Sequence, residues 1–283
     1  MFGAIYGDII GSYYESHCTK NYDFEFNRES TFTDDSVMTA AVCKAILQNP
    51  QNITSRRELS ARAYEYAAQY RQYYSYYRNA GYGTMFAKWA GERSMHIVRS
   101  YGNGGAMRVI PIGYAYDSLE QVQLQAKASC LYTHRHREAV HAAQAVASAV
   151  FMARHGSSKA EIREYITKKF RYDLDYTPDM IRSDYSFDSR CSYSVPPSIV
   201  CFLESKDYES AVRNAVSLGG DADTMACIAG GIAEAFYREM PDHIRKFCDI
   251  RLEYTIKSVV MEFYEKYGNR QPHPNVDSAL KMR

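Results

Sequence analysis

The chain has 283 residues, 46% of them hydrophobic, and its 34 lysines and arginines nearly balance 33 aspartates and glutamates. This length can bury a large core. A formal charge of +1 gives no electrostatic reason to bind a nucleic-acid backbone or an anionic membrane, so we expect no nucleic acid and no membrane as partner. No run of about 18 apolar residues is present, which argues against a membrane-spanning helix.

The amino terminus and the cysteines bear on cellular location. Met1 leads directly into an apolar stretch without a basic region, so we expect no secretory signal peptide. The seven cysteines are dispersed and form no CxxC pair. An odd, scattered set is typical of buried, reduced thiols and predicts a cytoplasmic protein without a disulfide framework.

Apolar residues follow mostly helical spacing along the chain. Residues 34–48, 138–153 and 224–237 show this spacing most clearly. No stretch alternates with a period of two between turn residues, and no strand–helix alternation is present. The sequence therefore predicts an all-α fold in a single domain, residues 1–283.

The first predicted helix repeats glycine every fourth residue, at Gly3, Gly7 and Gly11. Asp8 and Glu15 lie seven residues apart and would share one helical face. Glycine costs about 1 kcal/mol relative to alanine inside a helix, so we expect another helix or a ligand to approach the backbone closely. The alternative is a core helix with a solvated acidic edge.

A threonine and two aspartates precede the helix predicted at 34–48, in the order Thr33-Asp34-Asp35-Ser36. Thr33 can cap this helix, and the aspartates of its first turn would face the positive end of the helix dipole. Considered alone, the cluster needs no other explanation than a helix cap.

Eight tyrosines lie between Tyr64 and Tyr82, with Arg71 and Arg78 interleaved. Such a pattern can stack nucleic-acid bases, but aromatic residues at helical spacing are more often part of a core. Because the chain is nearly neutral, we predict that most of these rings pack inside, with one or two at the rim of a ligand cleft.

A glycine-rich loop precedes the next apolar stretch and reads Gly102-Asn103-Gly104-Gly105-Ala106-Met107-Arg108. A loop of this kind at a helix start presents free N–H groups to an anion such as phosphate. It is neither a Walker A loop nor a dinucleotide-binding fingerprint, since it lacks the Gly-Lys-Ser/Thr ending and has Met107 in place of glycine. A phosphate site and an ordinary turn both remain open.

Three histidines follow, at His134, His136 and His141. An HxH pair on a helix directs its rings to different faces, and no cysteine or acidic residue has suitable spacing, so we predict no zinc site. We interpret His134 as a single residue that forms hydrogen bonds or contacts a phosphate. Further along, residues 172–194 are predicted as a lid or an irregular connection, and residues 268–278 as a frayed tail.

The last motif directly precedes the apolar stripe at 224–237 and reads Gly219-Gly220-Asp221-Ala222-Asp223-Thr224. It is not a calcium-binding EF-hand loop, because Ala226 replaces the required glycine and Ile232 the bidentate glutamate. Considered alone, it can be a glycine turn followed by a helix cap.

Together, the two aspartate clusters indicate a metal site. Each helix start offers two carboxylates and one hydroxyl, the oxygen ligands that Mg²⁺ and Mn²⁺ prefer. If the starts meet, each pair of carboxylates about 4 Å apart repels by about 4 kcal/mol at an effective dielectric near 20. We therefore predict that they meet around two Mg²⁺ or Mn²⁺ ions about 3.5–4 Å apart.

Five motifs, in this order, resemble the ADP-ribosylglycohydrolase family. They are GAIYGDIIGSYYE (3–15), FTDDSVMTAAV (32–42), GNGGAMRVIPIG (102–113), YTHRHREAV (132–140) and GGDADTMACIAGGIAEAFY (219–237). The resemblance implies an orthogonal multi-helix bundle with a binuclear metal site in a central cleft. It also implies hydrolysis of the N- or O-glycosidic bond between ADP-ribose and an acceptor, which reverses ADP-ribosylation.

The resemblance further implies roles for individual residues. The implied metal ligands are Thr33, Asp34, Asp35, Asp221, Asp223 and Thr224. The implied substrate-binding residues are Gly102, Asn103, Gly104, Gly105, Met107, Arg108 and His134. Glu15 matches an acidic residue beside the scissile bond. Ser36 departs from the threonine that many members have there, but it keeps the hydroxyl.

The mechanistic hypothesis is that two ions hold the distal ribose and that a carboxylate moves a proton. Glu15 is the first candidate for that transfer, with Asp34 and Asp221 as alternatives. The expected partner is an ADP-ribosylated protein or small conjugate, bound by a monomer. A catalytically inactive ADP-ribose-binding relative and a two-metal phosphatase are the alternatives. We expect the 64–82 region and the 172–194 loop to determine the acceptor.

Overall fold

The computed structural model describes residues 1–268. Within this range the chain forms fourteen α-helices and no β-strand, apart from two isolated bridges, Arg99–His134 and Gly102–Arg190. The all-α prediction is confirmed. The extension of the domain to residue 283 and the fraying predicted for 269–278 lie outside the described residues.

The helices follow one another with short connections. In chain order they are α1 (Phe2–Ser16), α2 (Asp34–Gln48), α3 (Arg56–Tyr76), α4 (Thr84–Gly91), α5 (Ile110–Ala115), α6 (Leu119–Cys130), α7 (Arg137–Arg154), α8 (Lys159–Phe170), α9 (Pro178–Ile181), α10 (Cys191–Leu203), α11 (Tyr208–Val216), α12 (Ala222–Tyr237), α13 (Asp242–Asp249) and α14 (Tyr254–Tyr267). The helices predicted at 34–48, 138–153 and 224–237 correspond to α2, α7 and α12.

Helix α12 lies at the centre of the fold. Its residues from Ala222 to Ala235 are all buried, and α1, α7, α10 and α11 pack against it. A helix that is apolar on every side is stable only when other elements cover it completely. The sequence feature behind this position is the unbroken run of small and apolar residues that follows Thr224.

Helices α1 and α12 contact each other through their backbones. A Cβ atom at Gly7 would lie 2.1 Å from the carbonyl oxygen of Ala226, and one at Gly11 would lie 2.4 Å from that of Ala222. Any side chain at these positions would clash with the backbone of α12. The glycine repeat therefore serves a neighbouring helix rather than a ligand.

The cysteines and tyrosines largely follow the sequence predictions. All seven cysteines are free; six are buried, whereas Cys18 is exposed, so burial was predicted wrongly for that residue. In α3, Tyr66, Tyr70 and Tyr73 are buried, and after it Tyr77 and Tyr82 are partly buried against the core. Tyr64 and Tyr76 are exposed, so packing is the role of five of the eight predicted rings. No helix of the described chain has the length and hydropathy needed to cross a bilayer.

Candidate metal centre and substrate cleft

Carboxylates from α1, α2 and α12 converge at one end of a cleft. The carboxylates of Asp8, Asp35 and Asp223 have oxygen atoms within 4.8 Å of one another, and the same holds for Glu15, Asp221 and Asp223. Because Asp223 belongs to both groups, the two groups are adjacent. The helix starts that carry the two aspartate clusters therefore meet in space, as the sequence predicted.

Asp8 joins α1 to the first turn of α2. One of its carboxylate oxygens accepts hydrogen bonds from the backbone N–H groups of Thr33 at 3.0 Å and Ser36 at 3.1 Å, and from the Ser36 hydroxyl. Its other oxygen accepts from the Thr33 hydroxyl at 2.7 Å. Thr33 is also the N-cap of α2, with its hydroxyl 3.4 Å from the Asp35 nitrogen, which confirms the predicted cap.

This role of Asp8 was not predicted from the sequence. Asp8 was predicted only to share a helical face with Glu15, and neither the metal cluster nor the α2 cap included it. The contact joins residues 25 and 28 positions apart, and local capping patterns contain no information about such distant partners. The seven-residue spacing to Glu15 was the available signal.

Asp35 has one satisfied and one unsatisfied carboxylate oxygen. The hydroxyl of Thr224 donates to Oδ2 at 3.1 Å, which links the starts of α12 and α2. Oδ1 is buried and has no hydrogen-bond partner among the described residues. A buried carboxylate oxygen without a partner is costly, and the cost disappears when a cation binds it. The donor set of Asp35, Asp223 and Thr224 thus fits a hard divalent cation.

In the described part of the chain, the cluster has no protein cation to balance its charge. Within residues 1–268 no lysine, arginine or histidine forms an ion pair with these carboxylates. Burial raises the pKa of Asp35 well above its usual range, and the charges of Asp8 and Asp34 raise it further. The pKa of Asp223 is raised by burial first and then by Asp221.

The pKa values of Asp34 and Asp8 are raised as well. Burial raises the pKa of Asp34, and Asp8, Asp221 and Glu15 add to the shift. Burial also raises the pKa of Asp8 to about 6, although hydrogen bonds from Ser36 and Thr33 oppose the shift. Without a bound cation, these groups therefore retain protons that an ordinary aspartate would lose.

Glu15 occupies the open side of the cluster. Its side chain is exposed, in contrast to buried Asp221 and Asp223. Partial desolvation raises its pKa, and the charges of Asp221 and then Asp8 add to the effect. Glu15 is thus a carboxyl group that solvent and a bound substrate can both reach.

The glycine-rich loop, residues 102–108, is hydrogen-bonded directly to this cluster. The Asn103 side-chain amide donates to Asp221 Oδ2 at 2.9 Å and to the Ser194 hydroxyl at 3.1 Å. The Asn103 backbone N–H donates to the carbonyl oxygen of Ser189 at 2.8 Å. The loop and the segment before α10 are therefore fixed together beside Asp221.

His134 packs against the glycines of this loop. A Cβ atom at Gly104 would lie 3.2 Å from His134 Nε2, and one at Gly105 would lie 3.1 Å from His134 Cβ. Burial, and secondarily the charge of Arg108, lower the pKa of His134 well below its usual value, so the ring is neutral at pH 7. His136, in contrast, is the N-cap of α7.

The cleft has a volume of about 390 Å³, within the range of small-molecule sites. Most of the predicted site residues line it: Glu15, Asp34, Asp35, Gly102, Asn103, Gly104, Met107, Arg108, His134, Asp221, Asp223 and Thr224. Thr33 and Gly105 lie behind this surface, against Asp8 and His134 respectively.

The rim of the cleft is apolar and exposed. Met85, Tyr101 and Phe187 line it with about half of their surface open to solvent. No tyrosine from the 64–82 run lines this cleft in the described structure, so the predicted tyrosine rim was wrong; Phe86 lines it instead. Phe187 belongs to the 172–194 segment, which is irregular apart from α9 and the start of α10.

The chain is similar to known proteins over most of its length. The family model for ADP-ribosylglycohydrolase matches residues 1–272. The ADP-ribosylhydrolases ARH3 of Homo sapiens and Mus musculus are each 26% identical, over 88% of this chain and 88% and 86% of those proteins. An uncharacterized protein of Archaeoglobus fulgidus is 33% identical over 47% of this chain and 48% of its own length.

A solved structure described as an ADP-ribosylglycohydrolase-related protein complex has the same fold. It superposes with a TM-score of 0.72 at 20% sequence identity, covering 93% of this chain and 95% of the other. The family model covers more than half of the chain, and the fold and the order of the motifs agree with it. The chain therefore belongs to the ADP-ribosylglycohydrolase family.

Proposed function

We propose that this protein is a divalent-cation-dependent hydrolase that cleaves the N- or O-glycosidic bond between ADP-ribose and an acceptor, reversing ADP-ribosylation. Family membership supports ADP-ribose as the substrate. The observation that carries the metal dependence is the convergence of five carboxylates, with a buried, unpartnered oxygen on Asp35 and no balancing cation among residues 1–268.

Two Mg²⁺ or Mn²⁺ ions are the proposed cofactors. The residues that would hold them are the oxygen donors Thr33, Asp34, Asp35, Asp221, Asp223 and Thr224. Asp8 is not among the proposed metal ligands, because protein donors already occupy both of its oxygens. Its role is to orient Thr33 and Ser36. When bound, such ions stabilise negative charge on coordinated oxygens and lower the pKa of bound water.

The chain's own groups account for the remaining chemistry. Glycoside hydrolysis passes through a positively charged, oxocarbenium-like state, which a field of carboxylates stabilises. Glu15 is the first candidate for proton transfer because its carboxyl group is exposed beside Asp221 and has a raised pKa. Asp34 and Asp221 are the alternatives, both at the cleft surface.

The proposal is tested by incubating the protein with ADP-ribosylated acceptors and Mg²⁺ or Mn²⁺. The panel contains serine- and arginine-modified peptides, O-acetyl-ADP-ribose and a modified nucleobase, and the product measured is free ADP-ribose. We expect release from at least one acceptor, lost in chelator and restored by added metal. Tight binding without release would indicate an inactive ADP-ribose-binding protein, and liberated phosphate would indicate a phosphatase.

The remaining sequence predictions stay predictions. A cytoplasmic location agrees with six buried free thiols but follows from the amino-acid pattern alone. The monomeric state is likewise inferred from the sequence. Sedimentation of the purified protein would test it directly.

A further inference from the structure

Three side chains that line the cleft, Arg108, Thr133 and His134, form a hydrogen-bonded series. Arg108 Nη2 donates to the Thr133 hydroxyl oxygen at 2.7 Å and to the carbonyl oxygen of Ser129 at 3.0 Å. The Thr133 hydroxyl oxygen lies 2.8 Å from His134 Nδ1. The guanidinium also lies over the Tyr70 ring, 4.0 Å from its centroid, so its position is fixed from two sides.

The direction of each hydrogen bond in this series follows from its chemistry. A guanidinium group has only donors, so Arg108 must donate and Thr133 must accept. The Thr133 hydroxyl then has one proton to place, and His134 Nδ1 is its only acceptor among the described residues. Nδ1 therefore carries no proton, and in a neutral ring the proton resides on Nε2.

His134 Nε2 faces the cleft. The ring is only 6% exposed, it lines the cleft, and no described residue hydrogen-bonds to Nε2. The Gly104 backbone lies beside this nitrogen, since a Cβ atom at Gly104 would lie 3.2 Å from Nε2. A polar N–H group in this position is satisfied when a ligand or water supplies an acceptor.

The family resemblance already implies that His134 contacts the substrate. Beyond that, we propose that Thr133, held by Arg108, is the positioning residue that fixes the Nε2–H tautomer of His134, so that the ring meets a substrate oxygen as a neutral hydrogen-bond donor. The recognised group is an oxygen with a free lone pair, on the diphosphate or on a ribose of ADP-ribose. His134 is thereby excluded as the group that removes a proton through Nε2. The identity of the ligand rests on the proposed function, whereas the tautomer does not.

The tautomer is measured on the ligand-free wild-type protein labelled with ¹⁵N-histidine. A long-range ¹H–¹⁵N correlation at pH 7 distinguishes protonated from unprotonated ring nitrogens, and His134→Asn identifies the signals among the eight histidines. We expect an unprotonated Nδ1 and a protonated Nε2. A protonated Nδ1, in either the neutral or the charged ring, would overturn the proposal.

A pair of matched variants tests the positioning role. Thr133→Val keeps the shape but removes the hydroxyl, whereas Thr133→Ser keeps the hydroxyl. We expect Thr133→Val to weaken ADP-ribose binding about tenfold by calorimetry and to populate the second tautomer, with Thr133→Ser close to wild type. Equal affinities of Thr133→Val and wild type, or equal losses in both variants, would contradict the assignment.

Two further results separate the possible failures. If Thr133→Val also loses affinity for ADP, the acceptor oxygen lies on the diphosphate or the adenosine ribose. If the variant loses affinity only for ADP-ribose, the acceptor oxygen lies on the distal ribose. Either result supports the donor role. A wild-type protein that binds no ADP-ribose would contradict the proposed function and the ligand assignment together, while the ring-nitrogen spectrum still decides the tautomer.

Discussion

The carboxylate end of the cleft and its apolar rim are built in opposite ways. At the carboxylate end, α1 lies so close to α12 that Gly7 and Gly11 leave no space for a Cβ atom. At the rim, Met85 and Phe187 have about half of their surface in solvent. The charged groups are thus held by a close backbone contact, while the side chains of the rim are open to solvent.

This difference teaches where sequence changes are tolerated. Residues that hold the repelling carboxylates in place tolerate little change, because the electrostatic energy of the site depends on separations of a few ångströms between charges. Residues at the rim can change with little effect on folding, since exposed side chains contribute little to stability. We expect the two regions to respond oppositely to substitution: activity and stability change at one, acceptor preference at the other.

The largest expected effect is the loss of activity when a proposed metal ligand is replaced. Asp35→Asn and Asp223→Asn should each lower metal-dependent ADP-ribose release by about three orders of magnitude, because each removes an anionic ligand. Exposed Glu164, paired with Lys168, offers a control: Glu164→Gln should release ADP-ribose at the wild-type rate. Initial rates at saturating metal measure both. Near-normal turnover by Asp223→Asn at low free Mg²⁺ would contradict the metal assignment.

The next largest effect is the loss of stability when a glycine at the α1–α12 contact is replaced. Gly7→Ala should destabilise the protein by about 3 kcal/mol, because the added Cβ would lie 2.1 Å from a carbonyl oxygen of α12. Gly91→Ala, at the end of α4, has no atom within 4 Å of its new Cβ and should be neutral or stabilising by less than about 1 kcal/mol. Urea unfolding compares the two. Equal stability of both variants would remove the argument for a rigid α1–α12 contact.

A smaller effect is the pH dependence of the metal-free protein. Burial raises the pKa values of Asp35 and Asp223, and that of Asp8 to about 6, so the folded state holds protons that the unfolded state releases. Their contribution is fully present below the unfolded pKa near 4 and is lost as pH rises through the folded values. In chelator, the Tm should fall by about 5 °C between pH 5 and pH 8.

Added Mg²⁺ and the Asp35→Asn variant make the Tm measurement more specific to these carboxylates. Mg²⁺ should raise the Tm more at pH 8 than at pH 5, because the carboxylates are then ionised. Asp35→Asn should raise the metal-free Tm at pH 8, since it removes one of the repelling charges. A metal-free Tm that rises from pH 5 to pH 8 would show that the carboxylates do not repel one another in the folded protein.

The smallest effect on stability is expected at the rim. Phe187→Ala should change the free energy of unfolding by less than about 0.5 kcal/mol, because the ring is half exposed. It should raise the KM for a peptide acceptor several-fold while kcat for a small ADP-ribose conjugate stays close to wild type. A large loss of kcat for both substrates would place Phe187 with the catalytic groups instead of the acceptor.

Much of the fold was predictable because its signals are local. The start of α2 follows from a threonine cap and two aspartates before an apolar stripe, and these lie within a few residues of one another. The meeting of α2 and α12 was predictable because both helix starts carry the same set of carboxylate and hydroxyl oxygens, which divalent cations can bind together. The hydrophobic periodicity contained no information about this contact.

The features that the sequence did not predict are non-local. Asp8 caps α2 across 25 residues, and the glycines at 104 and 105 face His134 about 30 residues away. The rim contains Met85 and Phe86 rather than a tyrosine of the 64–82 run, because the path of the chain after α3 decides which side chains reach the cleft. Such contacts depend on tertiary packing that no short window of residues contains.

The central claim is that the carboxylates at the starts of α2 and α12, which converge beside those of α1, hold divalent cations. Anomalous diffraction from crystals soaked in saturating Mn²⁺ tests it most directly. We predict two peaks within coordination distance of the Asp35, Asp221 and Asp223 oxygens, one of them at Asp35 Oδ1. A map with no anomalous peak among these carboxylates would contradict the account.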